Sequence, residues 1–278
     1  MLGWGAAGGR SGRRRFFAWL GLGALTLGSG GALGLLSCRD GGGDTIPGRR
    51  GARAARRSAG PEGLAADTGA KQYPGAELVA LPQPTTEAAM ATVQAIRTRR
   101  SQRAFKDRPL TLQELSNLLY YGGGITAPQG SGRGLRAAPS AGALYPIEIY
   151  AVVRQVEGLR QGIYHYRFAD HALELVKEGD LLAALAQACL SQMWLSRGAA
   201  ALVLTAVFQR TVAKYGDRGH RYVLLDCGHL SENVYLAATS MGLGACAVGA
   251  FDDDQVNALL GLDGEQESAL LVLPVGAV

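Results

Sequence analysis

The sequence predicts an α+β layer fold, on three observations. Helical patterns and strand-length apolar runs are mixed, without the regular strand–helix alternation of a doubly wound sheet. The run Ala199 to Phe208 is apolar apart from Thr205, as a central strand buried on both faces requires. Thr111 to Tyr121 sets Leu112, Leu115, Leu118 and Leu119 on one helical face. With 278 residues and 47% hydrophobic content, the chain can build one sizeable core.

Glu87 to Thr98 reads as the first helix. Thr111 is the N-cap of the second, with Glu114 as its capping-box partner, and Gly122 to Gly124 end it. Residues 125–137 are Gly-rich and read as a mobile loop. Ile147 to Arg154 is a strand. Gly158 to Arg167 and Ala172 to Lys177 form a strand pair with Asp170 and His171 in the turn. Leu181 to Leu190 is a helix. Arg218 to Met241 is a long helix with Leu225, Cys227, Leu230, Val234, Ala238 and Met241 available for burial, closed by Gly242 to Gly244. Ala245 to Gly249 reads as a strand, Asp253 to Leu260 as a helix started by acidic residues, and Ser268 to Val275 as the last strand.

The net charge of +5 belongs to the leader. Residues 1–60 hold ten arginines against Asp40 and Asp44, which leaves the rest of the chain mildly acidic. No aromatic–basic interleaving supports a nucleic-acid role. Arg13 and Arg14, before the apolar run Phe16 to Leu36, have the form of a twin-arginine export signal. Leu35-Leu36-Ser37-Cys38 has the form of a lipobox, with Cys38 as the lipid-bearing N-terminus; an uncleaved membrane anchor is the alternative. Residues 39–85 read as a flexible tether and extended lead-in, and 86–278 as the folded domain. Cys189, Cys227 and Cys246 lie in apolar surroundings and read as buried thiols, with a Cys227–Cys246 bridge left open. The histidines have no metal-ligand spacing.

Two stretches carry the chemistry. Arg97, Arg99, Arg100, Arg103, Lys106 and Arg108 surround Ser101 where a helix gives way to an extended connection. Forked guanidinium donors there suit a phosphate, against the plainer reading of a solvated basic turn. Forty residues on, Pro139-Ser140-Ala141-Gly142 opens a small-residue segment closed by Pro146, which lets backbone approach a flat ligand.

Together with Gly162-Ile-Tyr-His-Tyr166, Lys214-Tyr-Gly-Asp-Arg218 and Gly242-Leu-Gly-Ala-Cys-Ala-Val-Gly-Ala-Phe-Asp252, these stretches resemble the SagB/ThcOx-type dehydrogenases of the FMN-dependent nitroreductase superfamily. The resemblance runs from about Thr92 to Gly276. It implies a nitroreductase-like fold, with a mainly antiparallel sheet flanked by helices, in an obligate homodimer with its sites between subunits. It implies that Arg99, Arg100, Ser101 and Arg103 bind the FMN phosphate and ribityl chain. Pro139, Ser140, Ala141 and Gly142 would approach the flavin from the other subunit, and Ala247, Gly249 and Ala250 would lie near its ring. Lys214 and Tyr215 resemble the Lys-Tyr pair proposed for proton abstraction in azoline-oxidising members, and a loop after the strand Ala199 to Phe208 would bring them to a flavin face.

The expected activity is ping-pong hydride transfer through flavin N5 on a small substrate, with a nicotinamide donor possible without a Rossmann motif. Two alternatives stand beside it: an exported lipoprotein that binds a flavin or other ligand without catalysis, and a peptide azoline dehydrogenase. An exported protein would not meet the cytoplasmic partners of azoline oxidases, which weighs against the second. A purely structural lipoprotein would leave the basic cluster and the small-residue loop unexplained.

Overall fold

The computed structural model describes residues 70–86, 90–129 and 133–278. The leader lies outside these residues, with Arg13, Arg14 and Cys38, as do residues 87–89 of the first predicted helix.

The fold is three-layered around a seven-stranded sheet. In chain order the elements are β1 (Leu78–Ala80), α1 (Thr92–Thr98), α2 (Leu112–Gly123), β2 (Ile125–Gln129), β3 (Arg133–Arg136), β4 (Ile147–Val153), β5 (Gly162–Arg167), β6 (Ala172–Glu178), α3 (Leu182–Ala188), β7 (Ala200–Val207), α4 (Gln209–Tyr215), α5 (Arg218–Ser240), β8 (Leu243–Ala245), α6 (Asp253–Leu260) and β9 (Glu267–Ala277). The sheet order is β1-β6-β5-β4-β7-β9-β8, and every pairing in it is antiparallel.

The sheet is covered on both faces. Along β4, Ile149, Ala151 and Val153 face one core, with Leu115 and Leu118 of α2 and Leu230 and Val234 of α5. Tyr150 and Val152, on the opposite pleat face, join Leu182 and Leu185 of α3 and Val256 and Leu260 of α6. Two-sided burial is why Ala199 to Phe208 carries no polar alternation. The predicted α+β class holds.

The predicted capping box is formed: Thr111 Oγ1 accepts the Glu114 amide at 3.1 Å, and Glu114 Oε2 accepts the Thr111 amide at 2.8 Å. Such a cap is worth roughly 1 kcal/mol.

Five expectations need correction. Residues 125–129 and 133–136 pair as a hairpin rather than a loop. Strand β1 pairs with β6 ahead of residue 86, so the sheet begins within the expected lead-in. The strand expected at Ala245 to Gly249 ends at Ala245, and beyond it Val248 makes a lone bridge to Val272. Lys214 and Tyr215 end a helix, α4, instead of lying in a loop. Leu225 is 53% exposed, because the buried stripe of α5 passes through Val223, Cys227, Leu230, Val234 and Ala238 and turns Leu225 away. Cys189, Cys227 and Cys246 are buried. Among the described residues no helix is long and apolar enough to cross a membrane, and no His/Cys/Asp/Glu group could hold a metal.

Candidate functional site

The basic segment leaves α1 at Arg99 with extended backbone and runs beside β8. Ser101 bridges Ala245, and the Gln102 amide donates to the Ala245 carbonyl at 2.9 Å. Gly244 permits this approach: a Cβ there would lie 2.8 Å from Gln102 Cβ. The cations then divide by role. Arg108 pairs with Glu114 at 2.9 Å, Lys106 Nζ donates to the Val278 carbonyl at 2.7 Å, and Arg100 donates to the Arg99 carbonyl at 2.7 Å. The first two serve the fold. Arg100, predicted to bind the phosphate, is turned onto its own backbone because α1 ends there with open carbonyls.

Arg99 and Arg103 lie over aromatic rings. The Arg99 guanidinium stands 5.2 Å from the Tyr235 ring centre, with Glu232 at a loose 3.9 Å, and that of Arg103 stands 5.8 Å from the Trp194 ring centre. The Tyr235 hydroxyl hydrogen-bonds to Ser101 Oγ at 3.1 Å and accepts the Ala247 amide. One buried phenol of α5 therefore joins the predicted phosphate segment to the predicted ring-side segment. Beyond Ala247 the surface is open. A Cβ on Gly249 would meet only Leu271 Cδ1, at 3.9 Å, and the carbonyl of Ala250 accepts Gln192 Nε2 at 3.1 Å.

The Pro139–Gly142 segment is held elsewhere on α5. Ser140 Oγ donates to Asp226 Oδ2 at 2.6 Å and accepts the Tyr145 amide at 2.9 Å; the Ala141 amide donates to Asp226 Oδ1 at 3.2 Å. Burial raises the pKa of Asp226, against the Ser140 and Ala141 hydrogen bonds, which lower it. The hydroxyl of Ser140, expected at the flavin, is engaged inside the chain. Gly142 is left-handed, with φ of 64°, and a Cβ there would stand 2.6 Å from the Tyr215 hydroxyl and 2.9 Å from Lys214 Nζ. Thus Gly142, Lys214 and Tyr215, picked from separate parts of the sequence, meet at one place.

Helix α4 carries that pair and is docked from both sides. Gly219 lets the helices touch, since a Cβ there would lie 2.8 Å from Val212 Cα. Tyr215 packs edge-on against Tyr222, with ring centres 5.0 Å apart. Arg210, one turn before Lys214, pairs with Glu148 and donates to the Tyr145 carbonyl at 3.3 Å. Glu148 also meets His165, at 3.1 Å, in a buried group that includes Glu174.

The two assemblies are anchored nine residues apart on α5, at Tyr235 and Asp226, or about 13 Å along the helix axis. The residues fit a flavin in kind: Arg99 and Arg103 for an anion, and the open small-residue surface at Ala247, Gly249 and Ala250 for a flat ring. Tyr235, Asp226, Trp194 and Arg210 were not found in the sequence. For Asp226 the sequence signal is a carboxylate set among the apolar positions Val223, Cys227 and Leu230.

Comparison with known proteins gives the family. The nitroreductase family model matches residues 96–277. The chain is 43% identical over 178 residues to MJ1384 of Methanocaldococcus jannaschii, a protein named as a nitroreductase, spanning 64% of this chain and 86% of that one. It is 31% identical over 150 residues to the microcin B17-processing protein McbC of Escherichia coli, covering 51% of this chain and 54% of that one. A crystal structure of a nitroreductase-type protein from Ralstonia eutropha JMP134 superposes with a TM-score of 0.60 at 25% identity, over 78% of this chain and 96% of that one. The likeness to McbC accords with the SagB-type resemblance. The chain belongs to the nitroreductase family, a family of oxidoreductase enzymes.

Proposed function

We propose that the chain is an FMN-dependent oxidoreductase acting as a homodimer on a small substrate. The convergence of Arg99, Ser101 and Ala247 on Tyr235 carries this reading. Arg99, Ser101 and Arg103 would hold the phosphate end, and Ala247, Gly249 and Ala250 would lie along the ring. The Pro139–Gly142 segment of a second copy would complete the site. In support, apolar residues are exposed on the helices that carry the two assemblies: Val93 (78%), Ile96 (57%), Leu224 (41%) and Leu225 (53%). The exposed Gly228 lies among them on α5 and would let another helix come close.

When bound, FMN would supply two-electron hydride chemistry at N5, shared between a donor and an acceptor in turn. The chain's own part is proton handling. Lys214 Nζ and the Tyr215 hydroxyl stand together at Gly142 and would take or give the substrate proton. Lys214→Ala and Tyr215→Phe should each keep FMN and lower kcat by about 10²–10⁴-fold at equal FMN occupancy. Full activity in both would remove the pair from catalysis.

The likeness to McbC, over about half of that protein's length, favours a second reading, in which the same pair acts on a peptide azoline. Oxidation of a thiazoline peptide by the purified protein would select it. The leader reading stands as part of the proposal: twin-arginine export with Cys38 lipidated. Continued export after replacing Arg13 and Arg14 by Lys would exclude that route.

A further inference from the structure

The loop that carries Gly142 is bent against its own sequence. Gly142, Ala143 and Tyr145 have φ of 64°, 54° and 47°. Glycine adopts this region freely, but alanine and tyrosine pay for the crowding of Cβ against the backbone. Behind the loop lies a small hollow of about 20 Å³, lined by Arg136, Ala138, Ser140, Tyr145, Asp226 and Leu230 among others.

Hydrogen bonds span the bend, and they converge on one carboxylate. Asp226 accepts from Ser140 Oγ and the Ala141 amide at the start of the bend. Ser140 Oγ accepts from the Tyr145 amide at its end. Asp226 is 5% exposed on a helix face otherwise built of Val223, Cys227 and Leu230. A carboxylate there must be satisfied by donors, and an apolar residue would bury at lower cost. Its presence points to a demand from the loop rather than from the core.

The other side of the Gly142 contact refers to the same helix. Tyr215 is fixed through Tyr222, and α4 is seated through Gly219, seven residues before Asp226. Helix α5 thus sets both halves of one contact: α4 through Gly219 and Tyr222, and the loop through Asp226.

We propose that Asp226 is a positioning residue which, through Ser140 and the Ala141 amide, holds residues 140–145 in the left-handed bend and so sets Gly142 against the Tyr215 hydroxyl and the Lys214 ammonium. It does not touch substrate. The inference rests on the reading of that pair as the proton-handling groups beside a flavin.

The test uses the purified protein with Asp226→Asn, which keeps volume and one acceptor, and Ser140→Ala, which cuts the same link with a smaller change. Amide hydrogen exchange at Ala141 and Tyr145 should quicken by about tenfold or more in both variants, with or without FMN. Turnover with a nicotinamide donor and a quinone acceptor, at equal FMN occupancy, should fall by about tenfold in Asp226→Asn. In a Lys214→Ala, Tyr215→Phe background the same substitution should cost nothing further, because the groups it positions are gone. Unchanged exchange at both amides would overturn the clamp. So would an equal turnover loss in both backgrounds, which would mark Asp226 as a general support of the fold. If the wild-type protein binds no FMN, the flavin reading falls, and exchange at Ala141 and Tyr145 alone decides whether Asp226 holds the bend.

Discussion

Gly142 has no room for a side chain because the Tyr215 hydroxyl occupies the space: a Cβ on Gly142 would stand 2.6 Å from that oxygen. Gly142→Ala would also strain a backbone at φ of 64°. The expected outcome is a displaced phenol, with kcat reduced by about tenfold or more at equal FMN occupancy. Steady-state kinetics beside a flavin titration would check this. An alanine variant with wild-type kcat would separate the loop from the chemistry.

Arg99 and Arg103 are expected to hold the phosphate end of the cofactor. Each substitution to alanine removes charge-assisted hydrogen bonds worth roughly 1.5–3 kcal/mol, so the FMN Kd should rise by about tenfold or more. Arg108→Ala is the contrast, since Arg108 is paired with Glu114. Quenching of flavin fluorescence on binding measures all three. Equal affinities throughout would place the phosphate elsewhere.

Leu225 should lie in the dimer interface, together with Leu224 and the α1 residues Val93 and Ile96. Leu225→Asp would set a charge in an apolar contact and should yield a folded monomer with weakened FMN binding. Sedimentation or light scattering gives the outcome. A wild-type protein that is monomeric at micromolar concentration would count against the shared site.

Glu148 supplies a pH dependence. Burial alone would raise its pKa, but the His165 hydrogen bond and the charge of Arg210 outweigh burial and lower it. A depressed carboxylate contributes stability above its unfolded pKa and loses it as pH falls through the folded value. Stability should therefore drop on the acid side, below the usual glutamate range. Glu148→Gln should flatten that limb and cost about 3–5 kcal/mol at neutral pH by stripping the carboxylate from Arg210. Thermal unfolding of both proteins between neutral and acid pH is the check; parallel acid limbs would mean that Glu148 does not titrate as described.

What could be read from the sequence was local or doubly buried. The Thr111–Glu114 capping box spans four residues and formed as expected. The run Ala199 to Phe208 revealed the centre of the sheet because both of its faces are covered. Helix α4 escaped notice because Gln209–Tyr215 is only seven residues long and has no side-chain N-cap. The β2–β3 hairpin was hidden by the glycines around it, and its burial is slight. The site divides in the same way. Arg99, Ser101 and Gly142 stand in recognisable strings of residues, whereas Tyr235 and Asp226 act on partners more than eighty residues away. Nothing near them in the chain announces that distance.

The central claim is that Arg99, Ser101 and Arg103, with Ala247, Gly249 and Ala250, hold a flavin. The most direct measurement is the visible absorption spectrum of the purified protein, before and after incubation with FMN and desalting. A flavin band at about one FMN per protomer that NADH or NADPH bleaches is expected, with a much weaker band in the Arg99→Ala, Arg103→Ala double variant. A folded wild-type protein that emerges colourless even after incubation with FMN would contradict it.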